Sequence, residues 1–201
     1  MEKINTKIKK KLDNIINLKK ELKNWKDLSE KEVFELIKNF EKTPRDEGSN
    51  WYNEVFTDNE FATILLKIGK EYKSNTKMNV YVISSLGNMM SRYNLKETKN
   101  IYEYFLDNLH EKGLSVYVSL FFTDLEHFAN YSEKWDYIMS VKDMKPSKIG
   151  ESSFETIIKS RKDNIPNKYK SIVNNHFIMK AEKANSEYGK KHYLDLAEEF
   201  K

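Results

Sequence analysis

Two short segments carry the strongest structural signal in this sequence. In each one a hydroxyl residue precedes a glutamate by three positions, and large apolar residues flank the pair. The two segments are Leu28-Ser29-Glu30-Lys31-Glu32-Val33 and Phe56-Thr57-Asp58-Asn59-Glu60-Phe61. This pattern is typical of a helix N-terminus, because the hydroxyl and the carboxylate satisfy backbone N–H groups while the apolar residues pack together. The sequence therefore predicts helices that are capped by Ser29 and Thr57.

Apolar periodicity extends the helical prediction to most of the chain. Apolar residues recur at spacings of three and four, and only 3 Pro and 6 Gly interrupt the 201 residues. Helices are predicted over 3–27, 29–42, Thr57 to about Tyr72, 77–93, 95–112, 115–131, 132–142, 152–163 (capped by Ser152 with Glu155), 166–184 and 187–200. The segments 79–83 and 115–119 are also rich in strand-forming residues, so a strand stays the alternative there. The expected fold class is all-α.

An internal repeat suggests how these helices are arranged. Val80-Tyr81-Val82 recurs 36 residues later as Val116-Tyr117-Val118. The segments 58–93 and 95–131 are therefore predicted to be two copies of a helical hairpin, stacked as a short HEAT-like solenoid or an irregular helical bundle. The alternative is that two unrelated amphipathic hairpins of equal length align by chance. The length favours one domain over 1–201, with N-terminal helices in 1–42, the hairpins in 58–131 and C-terminal helices in 132–201.

Catalytic and metal chemistry have little support in the sequence. There is no Cys, no Gly-x-Ser-x-Gly element and no Gly-rich phosphate loop, so we expect no enzyme and no cofactor. Asp107 with His110 and Asp124 with His127 resemble metal-ligand pairs on two helices. On antiparallel helices these pairs would lie roughly 12–15 Å apart at 1.5 Å per residue, so no metal site is predicted.

The charge pattern disfavours nucleic acid as a partner. The net charge of +4 comes from 32 Lys and only 3 Arg against 31 acidic residues, and Arg is the side chain that binds phosphates and base edges in a bidentate way. The centre, 32–142, is acidic and lies between basic flanks. The sequence shows no secretory signal, and its most apolar stretch, 114–122, is about half of a membrane span. We therefore expect a cytoplasmic protein with no membrane element.

One face of the predicted helix 115–131 is the leading candidate for a binding surface. Its buried face belongs to a core made of Phe61, Leu65, Ile68, Leu86, Phe105, Leu109, Phe121, Phe122, Leu125 and Phe128. The opposite face and the repeat-equivalent face of 77–93 present aromatic, acidic and amide side chains, which suit a protein interface. The predicted partner-binding residues are Tyr117, Asp124, His127, Tyr131, Tyr81 and Asn88. The alternative is that these tyrosines pack under a neighbouring helix.

Two further groups are secondary candidates for partner binding. Glu103, Asp107 and Glu111 form an acidic stripe on the predicted helix 95–112. Trp51 and Tyr52 lie in the long connection 43–56, where the alternative role is to close the end of the helical stack.

In size, composition and the 58–131 repeat, the chain resembles the helical, HEAT-like immunity proteins of bacterial polymorphic and contact-dependent toxin systems. The resemblance implies a non-enzymatic cytoplasmic protein that binds and neutralises a toxin domain. It assigns no residue roles, and the net charge of +4 departs from the acidic character common in that class. The alternative is a HEAT-like nucleic-acid-binding or DNA base-repair protein. The sequence predicts neither the identity of the partner nor the oligomeric state.

Overall fold

The fold is entirely helical over the part of the chain that is described. The structure is a computed structural model that describes residues 5–201, so the first residues of the predicted helix 3–27 lie outside it. Within these residues the chain forms eleven α-helices, joined by 3₁₀ turns and loops, and no strand. The all-α prediction is confirmed. The strand alternative is wrong, because 79–83 lies within a long helix and 115–119 is itself a short helix.

The helices belong to two compact units. The N-terminal unit ends at Phe128 and contains α1 (Thr6–Lys23), α2 (Glu30–Asp46), α3 (Asn53–Phe56), α4 (Asn59–Glu71), α5 (Thr76–Tyr93), α6 (Lys99–Asp107) and α7 (Ser115–Ser119). The C-terminal unit, Ala129–Lys201, contains α8 (Lys134–Val141), α9 (Ser147–Ser160), α10 (Asn167–Glu182) and α11 (Glu187–Glu198). This division differs from the predicted single domain over 1–201, and its boundary falls within the predicted repeat region 58–131.

Aromatic side chains form the centre of the N-terminal unit. The Phe40 ring lies 5.0 Å from that of Phe61 and 5.7 Å from that of Phe56, which in turn lies 4.6 Å from Tyr93. These contacts join α2, α3, α4 and α5. Nine of the ten predicted core residues are buried; Phe121 is the exception and is half-buried.

The helix starts show which local signals are reliable. The capping box at Ser29 is confirmed: the Ser29 N–H donates to the Glu32 carboxylate at 2.8 Å, and the Ser29 hydroxyl accepts from the Glu32 N–H at 3.4 Å. The Ser29 hydroxyl also donates to the Glu32 carboxylate at 2.6 Å, and this hydrogen bond, followed by the one from the Ser29 N–H, lowers the pKa of Glu32. The predicted cap at Ser152 is wrong, because α9 already begins at Ser147 after Pro146.

The second predicted cap, Thr57, is displaced by one residue. Asp58 caps α4 and accepts from the Phe61 N–H at 3.0 Å, whereas the Thr57 hydroxyl donates to the Asn53 carbonyl at 2.8 Å. The Asp58 carboxylate also lies 2.7 Å from the Lys19 ammonium of α1. The Asp58 carboxylate therefore caps the N-terminus of α4 and also forms an ion pair with α1.

We expect Asp58→Ala to lower the free energy of unfolding by about 1 kcal/mol at neutral pH, as for loss of a helix cap. Partial burial opposes ionisation of Asp58, but the Lys19 ammonium and the Phe61 N–H hold its pKa below the ordinary value. The ionised form is therefore favoured by folding, and its contribution is lost as the pH falls through the lowered pKa. Urea unfolding measures the free energy of unfolding of the wild type and of Asp58→Ala at pH 7 and pH 3. The difference between the two proteins should be smaller at pH 3.

Thr57→Ala, which removes the neighbouring hydroxyl, is the matched control for that experiment. Thr57→Ala should lower the free energy of unfolding by less than Asp58→Ala at pH 7. The loss caused by Thr57→Ala should not depend on pH to a comparable extent. An equal cost for the two variants would contradict the assignment of Asp58 as the cap.

The predicted helix 115–131 is interrupted, which is the largest departure from the sequence prediction. After α7 the chain forms a 3₁₀ turn at Phe122–Asp124, becomes extended at Leu125 (φ −68°, ψ 141°), and forms a second 3₁₀ turn at Glu126–Asn130. The Phe121 ring lies against α5 at Gly87, where a Cβ atom would come within 2.3 Å of it. The second predicted hairpin is therefore not a helical hairpin, and an irregular bundle describes the N-terminal unit.

The C-terminal unit is built on the pairing of α10 with α11 and of α8 with α9. Phe177 of α10 is fully buried and stacks on Phe200 at 5.8 Å and on Tyr193 at 6.5 Å. The Tyr169 hydroxyl donates to the Asp136 carboxylate of α8 at 2.6 Å. The predicted helices 166–184 and 187–200 are confirmed within two residues at each end.

No helix within residues 5–201 has both the length and the apolar run needed to cross a lipid bilayer.

Candidate partner-binding site

The predicted binding face does not exist as one helix face. Tyr117 is half-buried on the short helix α7, and Asp124 is exposed at the end of the following 3₁₀ turn. Tyr131 belongs to the C-terminal unit, where its ring packs edge to face on Tyr137 at 6.5 Å. The helical spacing that grouped these residues is lost because the helix ends at Ser119.

Tyr81 lies on α5 as predicted, but it packs against a neighbouring helix. Its ring meets the Phe34 ring of α2 edge to face at 5.7 Å, and the side chain is half-buried. The alternative in which a predicted tyrosine packs under another helix is therefore the one that the structure supports for Tyr81.

Asn88 also takes part in the contact between α5 and α2. Its side-chain amide donates to the Ser84 carbonyl at 2.8 Å, and the Ser84 hydroxyl donates to the Glu41 carboxylate at 2.6 Å. Glu41 is only 2% exposed and accepts two further hydrogen bonds from Arg45, at 2.8 and 3.1 Å. Burying a carboxylate is costly unless it is paired, so this network supports the packing of two helices.

The acidic stripe predicted on 95–112 is also broken. Glu103 lies 3.5 Å from the Lys99 ammonium one turn away, and Asp107 is the last residue of α6. Glu111 follows the end of that helix and its carbonyl accepts from the N–H groups of Leu114 and Ser115. These three carboxylates therefore do not share one helix face.

Trp51 and Tyr52 have different environments although they are adjacent. Tyr52 is fully buried, its ring lies 6.0 Å from Phe56, and its hydroxyl has no hydrogen-bond partner among residues 5–201. Burial raises the pKa of Tyr52. Trp51 is 41% exposed. Tyr52 is thus part of the core, and only Trp51 stays available to a partner.

A surface pocket of about 390 Å³ lies where the end of α5, the segment after it and the 3₁₀ turn at Phe122–Asp124 meet. Apolar side chains and carboxylates share its walls. We call it the acidic pocket; it is lined by Gly87, Met90, Ser91, Asn94, Leu95, Lys96, Glu97, Phe121, Asp124, Leu125 and Glu126. Of the predicted site residues, only Asp124 lines it.

Gly87 and Asn94 explain how the chain builds this pocket. Gly87 has no side chain, which allows the Phe121 ring to lie directly on α5. Asn94 ends α5 in the left-handed conformation (φ 60°), which turns the chain so that Leu95 to Glu97 line the pocket. Asn is one of the few residues besides Gly that adopts this conformation readily.

Glu97 holds the acidic wall of the pocket in place. Its side chain is only 6% exposed and accepts from the backbone N–H groups of Glu126 and His127, the latter at 3.4 Å. Its carboxylate also lies 2.6 Å from Nδ1 of His127, whose ring stacks on Tyr102 at 5.1 Å. His127, a predicted site residue, is thus part of the support of the pocket, and Glu97 is a functional candidate that helical spacing missed.

We expect Glu97→Gln to loosen the second 3₁₀ turn. A hydrogen bond to a charged group contributes about 1.5–3 kcal/mol, so the backbone amides of Glu126 and His127 should exchange with solvent at least about tenfold faster. Amide hydrogen exchange measured by NMR tests this. Glu103→Gln, a carboxylate on α6 outside the pocket, is the control and should leave both amides unchanged.

The pocket combines apolar walls with an excess of carboxylates. Within residues 5–201, no group of three or more His, Asp and Glu side chains is placed to hold a metal ion. The three carboxylates of Glu97, Asp124 and Glu126 outnumber the one ammonium group in the lining, that of Lys96. Apolar walls with this excess of negative charge suit a side chain that has an aliphatic stem and a cationic head, such as Lys or Arg. The chain matches no family model, no curated protein and no solved structure.

Proposed function

We propose that this protein is a non-enzymatic protein-binding module whose acidic pocket receives a basic side chain of a partner. The observation that carries the proposal is the pocket itself, in which Met90, Leu95, Phe121 and Leu125 form apolar walls beside acidic side chains. A Lys or Arg side chain can place its stem against these walls and its charge beside the exposed carboxylate of Glu126. An anchor residue in such a pocket is the usual centre of a protein interface.

The surroundings of the pocket also favour a protein partner. Leu120, next to Phe121 in the chain, exposes 41% of its surface, and Met90 is half-buried. The segment 32–142, which includes the whole pocket, has 17 acidic and 13 basic residues. Negative charge of this kind accelerates association with a basic partner and discriminates against acidic ones.

We further propose that the partner is a toxin domain and that the protein neutralises it, as the resemblance to helical immunity proteins implies. A toxin with a basic active-site surface, such as a nuclease, would suit the acidic pocket. In this mechanism the protein blocks access of substrate to the toxin, and no bond is made or broken by the protein itself.

Coexpression with the domain encoded by the adjacent gene tests this proposal. The domain alone should arrest growth, coexpression of the wild-type protein should restore it, and calorimetry should show a complex of defined stoichiometry. Unrestored growth together with no measurable binding would contradict the toxin proposal. Salt-dependent binding of duplex DNA at low micromolar concentration would favour the nucleic-acid alternative instead.

A further inference from the structure

A second surface depression, of about 570 Å³, lies on the C-terminal unit and has the opposite charge. We call it the basic groove; it is lined by Lys142, Asp143, Lys145, Ser147, Glu151, Ile172, Asn175, His176, Met179, Lys180 and Lys183. Four ammonium groups face two carboxylates there. Its residues lie on α9, on α10, in the segment before α9 and, for Lys183, directly after α10. The groove shares no residue with the acidic pocket.

The helix α10 gives the groove an apolar line. Ile172 is 38% exposed and Met179 is 53% exposed, and both line the groove. They are seven residues apart, which is about 10.5 Å along a helix. The other face of α10 is already buried through Tyr169, Val173, Phe177 and Ala181. The helix therefore presents a second apolar stripe beyond the one that its own core uses.

An internal charge network makes the floor of the groove rigid. The Lys180 ammonium lies 3.0 Å from Glu151 and 3.2 Å from Glu155, and Nε2 of His176 lies 3.4 Å from Glu155. The His176 ring also packs edge to face on Phe154 at 4.8 Å. Burial opposes ionisation of Glu155, but His176 and Lys180 keep its pKa below the ordinary value.

Two ammonium groups at the groove are not neutralised in this way. Lys145 donates to the hydroxyl of Ser147 at 2.5 Å, and no carboxylate within residues 5–201 pairs with it. Within residues 5–201, the Lys183 ammonium has no hydrogen-bond or ion-pair partner. Positive charge therefore remains in the groove together with the exposed apolar side chains of Ile172 and Met179.

We propose that the basic groove binds an acidic amphipathic helix of a protein partner. Two apolar residues of that helix, one at i and one at i+7, would contact Ile172 and Met179, while carboxylates beside them pair with Lys145 and Lys183. This is the usual arrangement of a helix bound in a groove. The apolar line, the absence of Arg and the carboxylates of Asp143 and Glu151 make the groove poorly suited to nucleic acid.

A labelled synthetic peptide of about 16 residues, with Leu on one helical face and Glu on the other, is a direct probe. We expect it to bind the full-length protein and to shift the imidazole NMR signals of His176. Met179→Glu and Lys183→Glu should each weaken binding at least about tenfold. The matched controls are Leu194→Glu and Lys190→Glu on α11, since Leu194 is 42% exposed and lies outside the groove.

Three results would overturn the proposal. They are no binding of the peptide at millimolar concentration, equal binding of a peptide in which Lys replaces Glu, and displacement of the acidic peptide by a short DNA duplex. An equal loss of affinity for Met179→Glu and Leu194→Glu would place the binding surface elsewhere. The groove and the acidic pocket share no residue. None of these outcomes therefore contradicts the proposed toxin neutralisation, which the coexpression experiment tests separately.

Discussion

Phe121→Ala should weaken binding of the partner by about 2 kcal/mol, or roughly 30-fold, if the acidic pocket is the centre of the interface. The Phe121 ring forms part of the pocket wall and rests on Gly87, so its removal takes away the apolar surface that a partner side chain would contact. Because Phe121 is only half-buried, the loss of folding stability should stay below the 3–5 kcal/mol typical of a fully buried Phe.

Phe34→Ala is the matched control for this prediction. Phe34 is also a half-buried aromatic residue of the N-terminal unit, but it packs on Tyr81 away from the pocket. It should lower stability without a comparable loss of affinity. Equal affinities for the wild type and Phe121→Ala, with both folded by circular dichroism, would show that the pocket is not the binding site.

Gly87→Ala changes the same pocket on its α5 side, where Gly87 contacts the Phe121 ring. Alanine favours a helix over glycine by about 1 kcal/mol, so local helix propensity alone predicts a more stable protein. A Cβ atom at this position would come within 2.3 Å of the Phe121 ring, so the ring must move. We therefore expect weaker partner binding together with little or no gain in the free energy of unfolding.

Phe61→Ala should lower the free energy of unfolding by about 3–5 kcal/mol, the largest stability effect that we expect. The Phe61 ring is fully buried and lies 5.0 Å from Phe40, and the Lys19 ammonium lies 5.3 Å from its centre. It therefore joins α1, α2 and α4. Urea denaturation monitored by far-UV circular dichroism measures the loss.

Phe34→Ala again provides the comparison, because its ring is only half-buried. The loss in the free energy of unfolding should be clearly smaller for Phe34→Ala than for Phe61→Ala. A loss below about 1 kcal/mol for Phe61→Ala would mean that the aromatic cluster does not form the core of the N-terminal unit.

The helices and the core could be predicted because their signals are local or periodic. Ser29 and Glu32 are three residues apart, and their reciprocal hydrogen bonds form within one turn. The apolar stripe of α4 identified Phe61, Leu65 and Ile68, all of which are buried. The cap at Asp58 was missed because Thr57 and Glu60 have the spacing of a capping box, although Asp is at least as good an N-cap as Thr; the ion pair of Asp58 with Lys19, 39 positions away, gave no local signal.

The site could not be predicted because it depends on contacts between distant residues. The chain after α7 is shaped by Gly87, which accommodates Phe121, and by Glu97, which binds the backbone at Glu126 and His127. No helical pattern reports such contacts, so Tyr117, Asp124 and His127 were assigned to one continuous helix face.

One local signal for this departure was present in the sequence. Phe122, Leu125 and Phe128 are buried at a strict spacing of three, which fits the 3.0 residues per turn of a 3₁₀ helix better than the 3.6 of an α-helix. The same spacing explains why Phe122, Leu125 and Phe128 were correctly predicted to be buried although the helix itself was not, whereas Phe121 is only half-buried.

Hydrogen–deuterium exchange of the full-length protein, with and without the partner that the coexpression experiment identifies, tests the central proposal most directly. If the acidic pocket is the binding site, protection on complex formation should concentrate in residues 90–97 and 120–127, and Phe121→Ala should reduce that protection at the partner concentration that just saturates the wild type. Protection confined to other segments, with the amides of 90–97 and 120–127 unchanged in a saturated complex, would contradict it.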